Sequence, residues 1–421
     1  MRILFYKVFS ILKHYLTVWH LKRALVYIAI DLFLLSFVRR GKDSNNVLIL
    51  KFDHLGDYII ARNFLIKIRD HAPYKSKRII LCANSAIKDL IEVYDAAAFD
   101  EVFWIDRPRM LNDFRYRYEI LKRIKQRGAE VAIQCTYGLE SFAGDCVMRA
   151  SGARERLGRW VTRGLSGPSE EQNVRLGSTF YTPLVEHNQV IFDFHRHLAL
   201  FSVILPAVDL PKNTRMNVIP VPVPDVQGPF AILMPGASDA FREWPPELFA
   251  EVARHLHCKR QLRLLILGTK ADSPKAEAIR RAAPGVPIES LCGKLTLSQV
   301  IYIMSLSAGG ITNDSGGIHI LAALGKPAVA VSNGVSFGYF HPYPPEVSDT
   351  VSFVYPQAFY DLPLTLRERK ILYGGGEHFS IAAVTPASVI DRFEALLDHR
   401  PYRDPIQEQI ASESVSASCT S

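Results

Sequence analysis

Cysteine is scarce in this sequence and shows no recognisable pattern. The 421 residues include six cysteines, with no CxxC pair and no histidine at the spacing of a zinc site. Disulfide frameworks and zinc modules depend on such spacings, so neither is predicted. We expect reduced and mostly buried thiols, which are typical of a cytosolic protein. The cysteines are Cys82, Cys135, Cys146, Cys258, Cys292 and Cys419.

The apolar stretch near the N-terminus is too short to predict a membrane span. Ala24–Val38 has 15 residues and contains Asp31. A span needs about 20 apolar residues, and a central aspartate raises the free energy of insertion by about 2.5–3.5 kcal/mol. Arg39 and Arg40 follow the stretch where a signal peptide would have small residues, so no signal peptide is expected.

The same stretch predicts an interfacial helix. Basic residues flank it, and Tyr15, Trp19 and Tyr27 suit the headgroup region of a bilayer. We expect residues 1–45 to form an amphipathic helical extension that contacts a membrane surface. The alternative is a helix that packs on the protein's own surface.

Positive charge is concentrated at one end of the chain. Residues 1–42 contain eight Lys or Arg and one acidic residue, so they carry +7 of the net charge of +8. The other 379 residues carry +1 and predict no wide basic face. Nucleic acid is therefore not an expected partner.

Short apolar runs alternate with helical periodicity in two series. Val47–Phe52 precedes a turn-rich segment and a helical pattern, and Phe230–Met234 opens a second series of the same kind. This alternation predicts an α/β protein with parallel, doubly wound sheets. No GxGxxG follows the first strand, which argues against a dinucleotide-dependent dehydrogenase.

These patterns divide the chain after the extension into four parts. We expect an α/β domain over 46–212, a proline-rich linker over 213–228 and a second α/β domain over 229–400. The polar residues 401–421 are expected to be disordered. Residues 335–380 are rich in aromatics and proline, and we expect irregular loops over the cleft there.

The first candidate site is the segment 51–57, KFDHLGD, where the first strand meets its helix. Gly56 permits a tight turn or the close approach of a ligand. Asp57 stands where a carboxylate could accept a proton from an acceptor hydroxyl. The alternative is that Asp57 caps the helix, whose dipole would stabilise the charged carboxylate and weaken it as a base.

Two further candidate segments stand at strand-to-helix junctions of the second series. In Pro235–Pro245, Arg242 could bind a phosphate in bidentate fashion or could be a solvated surface charge. In Asn313–His319 a glycine pair opens a helix, whose free amides and dipole favour an anion such as a diphosphate, and Ser315 adds a hydroxyl. The alternative there is an ordinary capped helix with a buried histidine. All three junctions lie on the sheet edges where α/β proteins bind ligands.

Together the three segments resemble glycosyltransferase family 9, the ADP-heptose–lipopolysaccharide heptosyltransferase family. Gly56-Asp57 matches the family's Gly-Asp after its first strand. Pro235–Ala237 with Arg242–Pro245 matches Pro-Gly-Ala followed by Lys-x-Trp-Pro, with arginine in place of lysine. Asn313–His319 with Gly325–Pro327 matches Asn-Asp-Thr-Gly-x-x-His and Gly-x-Pro, with serine in place of threonine.

The resemblance covers about residues 46–395 and implies a GT-B fold, in which two Rossmann-like domains face a cleft. It implies that the domain over 46–212 binds the acceptor and that the domain over 229–400 binds most of the nucleotide sugar. It implies an inverting, metal-independent transfer with no cofactor, and the sequence has no Asp-x-Asp metal motif. Asp57 would be the catalytic base. The donor would be bound by Lys51, Gly56, Gly236, Ser238, Arg242, Asp314, Ser315, Gly316, Gly317 and His319.

The implied function is transfer of a sugar from a nucleotide-diphosphate donor to a lipopolysaccharide core or another membrane-linked glycan, with heptose and ADP favoured. One alternative is a family member that uses a different sugar for O-antigen or capsule. Another is a non-catalytic nucleotide-sugar-binding protein on the same fold. The basic extension and residues 337–376 depart from compact heptosyltransferases and bear on the choice of sugar and acceptor. We expect a cytoplasmic protein, peripheral at the inner membrane.

Overall fold

The structure is a computed structural model that describes residues 26–41, 45–136, 144–159, 181, 184–185, 191–374, 378–399, 406 and 409. Within these ranges the chain forms two parallel six-stranded sheets, each with helices on both faces. The predicted α/β class with two doubly wound sheets is confirmed.

The first sheet is built by residues 46–185. Its strands are β1 (Asn46–Lys51), β2 (Arg78–Asn84), β3 (Glu101–Ile105), β4 (Val131–Gln134), β5 (Glu155–Arg159) and β6 (Leu184–Val185), in the order β3-β2-β1-β4-β5-β6. Every residue of β1 is buried, which explains its unbroken apolar run, because helices cover both faces of a parallel sheet. The helices are α2 (Leu55–Lys67), α3 (Lys88–Tyr94), α4 (Arg107–Asn112), α5 (Phe114–Arg127), α6 (Gly144–Ser151) and α7 (Asp193–Ile204).

The second sheet repeats the same topology. Its strands are β7 (Phe230–Met234), β8 (Arg263–Ile266), β9 (Ile288–Ser290), β10 (Gly310–Asn313), β11 (Ala328–Val331) and β12 (Val351–Val354), in the order β12-β11-β10-β7-β8-β9. The helices are α8 (Pro246–Arg260), α9 (Ser273–Ala282), α10 (Leu297–Leu306), α11 (Gly316–Leu324), α12 (Gln357–Tyr360), α13 (Leu366–Gly374) and α14 (Pro386–Leu397). In both sheets the strand order reverses beside the first strand, which places a ligand-binding crevice there.

The region 335–380 is more regular than the sequence predicts. It contains β12, which is the edge strand beside β11, and the helices α12 and α13. The strand has four residues, too few to show a period, and this explains why sequence reasoning predicted only loops. The expectation of irregular structure throughout this region was wrong.

Two helices connect the halves through direct contact. Helix α2 of the first half packs against α7 of the same half and against α11 of the second half. Residues 205–229, which run between α7 and β7, contain neither helix nor strand and include the predicted linker. The contact between α2 and α11 places the N-termini of two helices on either side of one cleft.

A helix over residues 26–36, α1, precedes the first sheet. Its inner side packs on the first half, where Asp31 accepts hydrogen bonds from the Arg117 guanidinium at 2.5–3.1 Å. Among the described residues, no helix has both the length and the apolar character that crossing a membrane requires. Residues 1–25, including Tyr15 and Trp19, lie outside the described ranges, so the amphipathic extension as a whole stays a prediction.

The predicted disordered tail, 401–421, also lies outside the described residues except for two positions. Ile406 is buried, and Gln409 accepts a hydrogen bond from Arg369 at 2.5 Å. These two residues therefore pack on the second half.

Candidate functional site

A cavity of about 880 Å³ lies between the two halves. The N-terminus of α2 borders one side and the N-terminus of α11 the other, and each helix follows a central strand of its sheet. Ten of the eleven site residues proposed from the sequence line this cavity. They are Gly56, Asp57, Gly236, Ser238, Arg242, Asp314, Ser315, Gly316, Gly317 and His319.

Lys51 is the proposed site residue that does not line the cavity. Its side chain is buried at the end of β1, and its Nζ lies 2.7 Å from Oδ2 of Asp53. Asn84 donates a hydrogen bond to the backbone carbonyl of Asp53 at 3.0 Å. The Lys51 charge is thus already paired inside the first half, and its contact with a donor stays a prediction.

Asp57 is a half-buried carboxylate in the first turn of α2. Its Oδ2 accepts a hydrogen bond from the backbone N–H of His54 at 3.1 Å, so it does cap the helix. Burial, and after it the negative charge of Asp53, nevertheless raise the pKa of the Asp57 carboxyl to about 7. A pKa near neutrality suits a general base, because the carboxyl both loses and accepts a proton at working pH. Capping and proton transfer are therefore compatible at this position.

Glycines bring the two halves into contact beside Asp57. A Cβ atom at Gly56 would lie 2.4 Å from Cδ2 of His319, and a Cβ at Gly316 would lie 3.1 Å from Cδ2 of Leu55. The first distance is too short for any real Cβ contact, so only glycine fits at position 56 in this arrangement. The glycine that the sequence suggested for ligand approach is required here for the approach of the opposite domain.

Asn313, the last residue of β10, connects the two segments of the second half. Its Nδ2 donates to the backbone carbonyl of Pro235 at 2.7 Å, and its Oδ1 accepts from the backbone N–H of Trp244 at 3.0 Å. Trp244 is buried and donates its indole N–H to the carbonyl of Val384. Asn313 and Trp244 therefore hold the loops around Arg242 in place and do not themselves line the cavity.

The N-terminus of α11 presents backbone donors to the cavity. Ser315 is the N-cap residue in an extended conformation, and its hydroxyl makes no capping hydrogen bond to the helix. Gly316 and Gly317 are the first helical residues, and the first amides of a helix have no partner within it. A free hydroxyl and free amides at the positive end of a helix dipole form an anion site. The diphosphate site predicted from sequence has this geometry.

Arg242 and Asp314 form an ion pair at the edge of this anion site. Nη2 of Arg242 lies 2.7 Å from both the backbone carbonyl and Oδ2 of Asp314. Nε2 of His341 lies 3.2 Å from the same Oδ2, and Nδ1 of His341 lies 2.8 Å from the Tyr355 hydroxyl. Burial alone would raise the pKa of Asp314, but the His341 and Arg242 charges hold that pKa below its usual range.

His319 is buried against the opposite domain. Its Nδ1 lies 2.8 Å from the Tyr343 hydroxyl. Burial lowers the pKa of His319 to about 4, so its ring is neutral at neutral pH. The alternative of a buried and satisfied histidine agrees with this geometry. His319 also lines the cavity, and its contact with a donor stays a prediction.

Sequence reasoning missed a charged cluster on the second half. Lys275 lies 2.5 Å from Oε1 of Glu243 and 2.9 Å from Oδ1 of Asp272, and all three line the cavity. Asp272 follows the carboxyl end of β8, so the same strand-end rule would have found it. His341 was also missed, because it lies in the region without periodicity.

The described part of the chain contains no candidate metal site. No three His, Cys, Asp or Glu side chains there are close enough together to hold an ion.

The profile of glycosyltransferase family 9 (heptosyltransferase) matches residues 119–357, more than half of the chain. The chain belongs to glycosyltransferase family 9. The resemblance drawn from the three segments is therefore confirmed, and the GT-B arrangement of heptosyltransferase structures agrees with the two sheets seen here.

Individual relatives of this family 9 protein are distant. It is 29% identical over 160 residues to lipooligosaccharide heptosyltransferase 2 of Haemophilus influenzae, an alignment that covers 37% of this chain and 43% of that protein. The chain thus spans less than half the length of the curated relatives that it matches. A family 9 glycosyltransferase of Veillonella parvula superimposes with a TM-score of 0.64 at 17% identity, covering 86% of this chain and 99% of that one. The E. coli heptosyltransferase WaaC with ADP gives 0.59 at 16% identity, with 83% and 99% covered.

Proposed function

We propose that this family 9 protein is an inverting glycosyltransferase with Asp57 as its catalytic base. The observation that carries the proposal is that Asp57 and the N-terminus of α11 border the same cavity. A carboxyl with a pKa near 7 faces an anion site across a cleft wide enough for a nucleotide sugar. The cavity would therefore combine a proton acceptor, Asp57, with a binding site for the leaving diphosphate.

The transfer would be a single displacement. Asp57 accepts the proton of an acceptor hydroxyl while that oxygen forms a bond to the anomeric carbon of the donor. The bond from that carbon to the diphosphate breaks, and the diphosphate leaves with the electron pair. The amides of Gly316 and Gly317 stabilise the developing charge, and the Arg242 guanidinium supports it. Attack opposite the leaving group inverts the anomeric configuration.

For the donor we propose ADP-heptose. Two solved structures of one relative support this choice, because the E. coli heptosyltransferase WaaC was determined with ADP and again with ADP-2-deoxy-2-fluoro heptose. The Haemophilus relative is named for lipooligosaccharide, which supports a lipid-linked glycan as acceptor. The reaction would then occur at the cytoplasmic face of the inner membrane.

A nucleotide panel tests the donor site. ADP, UDP, GDP and CDP are added to the purified protein and to Ser315→Asp, and the melting temperature is recorded. We expect ADP to raise the melting temperature of the wild type through binding to the native state. The effect should vanish in Ser315→Asp, which puts a negative charge at the anion site. Ser202→Asp, which adds the same charge on an exposed turn of α7 outside the cavity, is the control.

Each result of the panel has a distinct meaning. A preference for UDP or GDP would support the donor site but indicate a different donor sugar and another glycan pathway. A failure of every nucleotide to shift the melting temperature would contradict the donor site itself.

The alternative is a non-catalytic protein that binds a nucleotide sugar on the same fold. The hydrogen bond that Asp57 accepts from the His54 N–H favours it, since a binding protein would retain Asp57 for that bond alone. Asp57→Asn separates the two functions. The enzyme should lose turnover and keep ADP binding, whereas a binding protein would show no turnover in either form.

A further inference from the structure

The outer side of α1 is an apolar surface without a covering element among the described residues. Large side chains there are mostly exposed: 54% for Val26, 56% for Leu32, 65% for Phe33 and 76% for Phe37. The Phe33 and Phe37 rings meet edge to face with centroids 5.3 Å apart. We call the exposed side chains of these four residues the α1 face.

The opposite side of α1 is fixed to the first half and cannot easily turn outward. The Tyr27 hydroxyl donates to the carbonyl of Leu111, and Lys125 donates to the carbonyl of Leu35 at 2.6 Å. Asp31 is held by Arg117 in a buried ion pair. Breaking that pair would leave an uncompensated buried charge, which is strongly unfavourable. Packing on the protein therefore accounts for the inner side of the helix and leaves the α1 face unexplained.

The helices beneath α1 are rich in positive charge. The segment 107–127, which contains α4 and α5 beneath α1, has eight Lys or Arg and two acidic residues, a net charge of +6. Residues 1–42 carry +7, so the rest of the chain has a net charge of −5. Phe114, 48% exposed, stacks on Tyr27 and extends the apolar surface onto α5.

We propose that the α1 face docks on the surface of an anionic bilayer. Aromatic and aliphatic side chains on a helix with basic neighbours bind at the boundary between headgroups and acyl chains. Basic residues near that boundary gain from anionic lipid headgroups. Exposed phenylalanines favour a bilayer over nucleic acid, which would use the charge and leave the rings in water. The surface is thus an interfacial anchor fixed to a folded domain.

The anchor lies close to the acceptor side of the cleft. Helix α4 begins at Arg107, whose Nη1 lies 2.9 Å from Nε2 of the cavity residue His54. The same helix reaches the Tyr27 contact at Leu111, about 6 Å further along its axis at 1.5 Å per residue. Docking would therefore hold the cleft beside the bilayer, where a lipid-linked acceptor presents its hydroxyl. This last step rests on the proposed function.

Vesicle flotation tests the anchor without any substrate. The full chain is mixed with vesicles of phosphatidylcholine alone or with phosphatidylcholine and 30% phosphatidylglycerol, an experimental composition of about physiological charge density. The wild type should float with the anionic vesicles, and less so as salt is raised. Phe33→Ser with Phe37→Ser should reduce binding by about tenfold or more, since both rings leave the acyl boundary.

A matched double variant controls for the loss of exposed apolar surface. Val203→Ser with Leu306→Ser removes two exposed side chains from other helices and should bind vesicles as the wild type does. Equal flotation of the wild type with neutral and anionic vesicles would overturn the proposal. So would undiminished binding by the Phe33 and Phe37 variant, or a preference of the wild type for a DNA duplex over the anionic vesicles.

Turnover assays keep this proposal separate from the enzymatic one. Asp57→Asn should float like the wild type, so a protein that floats but never turns over contradicts only the activity. The Phe33 and Phe37 variant should transfer sugar normally to a deacylated, water-soluble acceptor and at least about tenfold more slowly to one embedded in vesicles. Equal loss on both acceptors would refute the anchor and leave the activity in place.

Discussion

Replacing Asp57 by asparagine should make the protein more stable at neutral pH while removing its activity. The pKa of this carboxyl is about 7 in the folded protein and about 3.9 in an unfolded chain. Between these values the folded state retains a proton that the unfolded state has lost. The free energy of unfolding therefore falls as pH rises from about 4 to 7 and stays low above 7.

The size of the effect follows from the displacement of the pKa. Three pKa units correspond to about 4 kcal/mol, and partial exposure of the carboxylate to water reduces this to about 1–2 kcal/mol. Asparagine keeps an oxygen to accept the His54 N–H and lacks the charge, so it should recover this energy. For a domain of this size the melting temperature should rise by about 2–4 °C per kcal/mol.

Thermal unfolding of the wild type and Asp57→Asn between pH 4.5 and 8.5 measures this difference. The advantage of the variant should grow up to about pH 7 and then level off. Asp113→Asn is the control, because Asp113 caps α5 through the N–H of Tyr116 and this bond lowers the pKa of its carboxyl. Removal of that charge should destabilise the protein, and the loss should shrink as pH falls.

Turnover provides the second half of the test. The wild-type rate should rise about tenfold per pH unit below pH 7 and level off above it, as the Asp57 carboxyl loses its proton. Asp57→Asn should lower kcat by about 10²–10⁴-fold. A variant that melts at a lower temperature than the wild type at pH 8 would show that capping dominates at this position. The physical basis for Asp57 as a base would then be lost.

Three further substitutions test the surroundings of the cleft. Gly56→Ala should lower kcat/KM by about tenfold or more and enlarge the radius of gyration in solution scattering, because the alanine Cβ would clash with His319. Unchanged kinetics would refute the contact between the two halves at this position. Lys51→Met should lower the free energy of unfolding in urea by about 3–5 kcal/mol, because the buried Asp53 carboxylate loses the Lys51 charge. An intact urea midpoint with lost ADP binding would instead support the predicted donor contact. His341→Gln should weaken ADP binding in calorimetry by about tenfold, because Asp314, which pairs with Arg242 beside the anion site, loses its contact with the imidazole ring. Equal affinity would contradict this.

The architecture and most of the site follow from local patterns in the sequence. Unbroken apolar strands and helical periodicity are short-range signals, and they predict the architecture. Ligand sites of α/β folds lie at strand ends, and ten of the eleven residues proposed on this basis line the cavity. Lys51 has the same strand-end position, but its side chain turns inward to Asp53. No local pattern shows which way a strand-end residue points.

Long-range pairs and short edge strands could not be predicted in this way. Asp31 counted in the sequence as a cost of membrane insertion, whereas in the structure it is neutralised by Arg117, 86 residues away. The pairing of two charges so far apart leaves no periodic trace. The same holds for the Asp314–His341 contact, whose histidine lies in a region without regular spacing.

The meeting of α2 with α11 through glycine has a consequence for the entropy of cleft closure. Side chains that become ordered in a contact each lose up to about 2 kcal/mol of rotational freedom, but glycine has no side chain to order. At the Gly56–His319 contact, only the histidine ring has rotamers to lose, and Tyr343 already fixes it within its own domain. Closing and reopening this contact therefore changes conformational entropy very little. This contact therefore adds little entropic cost to a closed cleft.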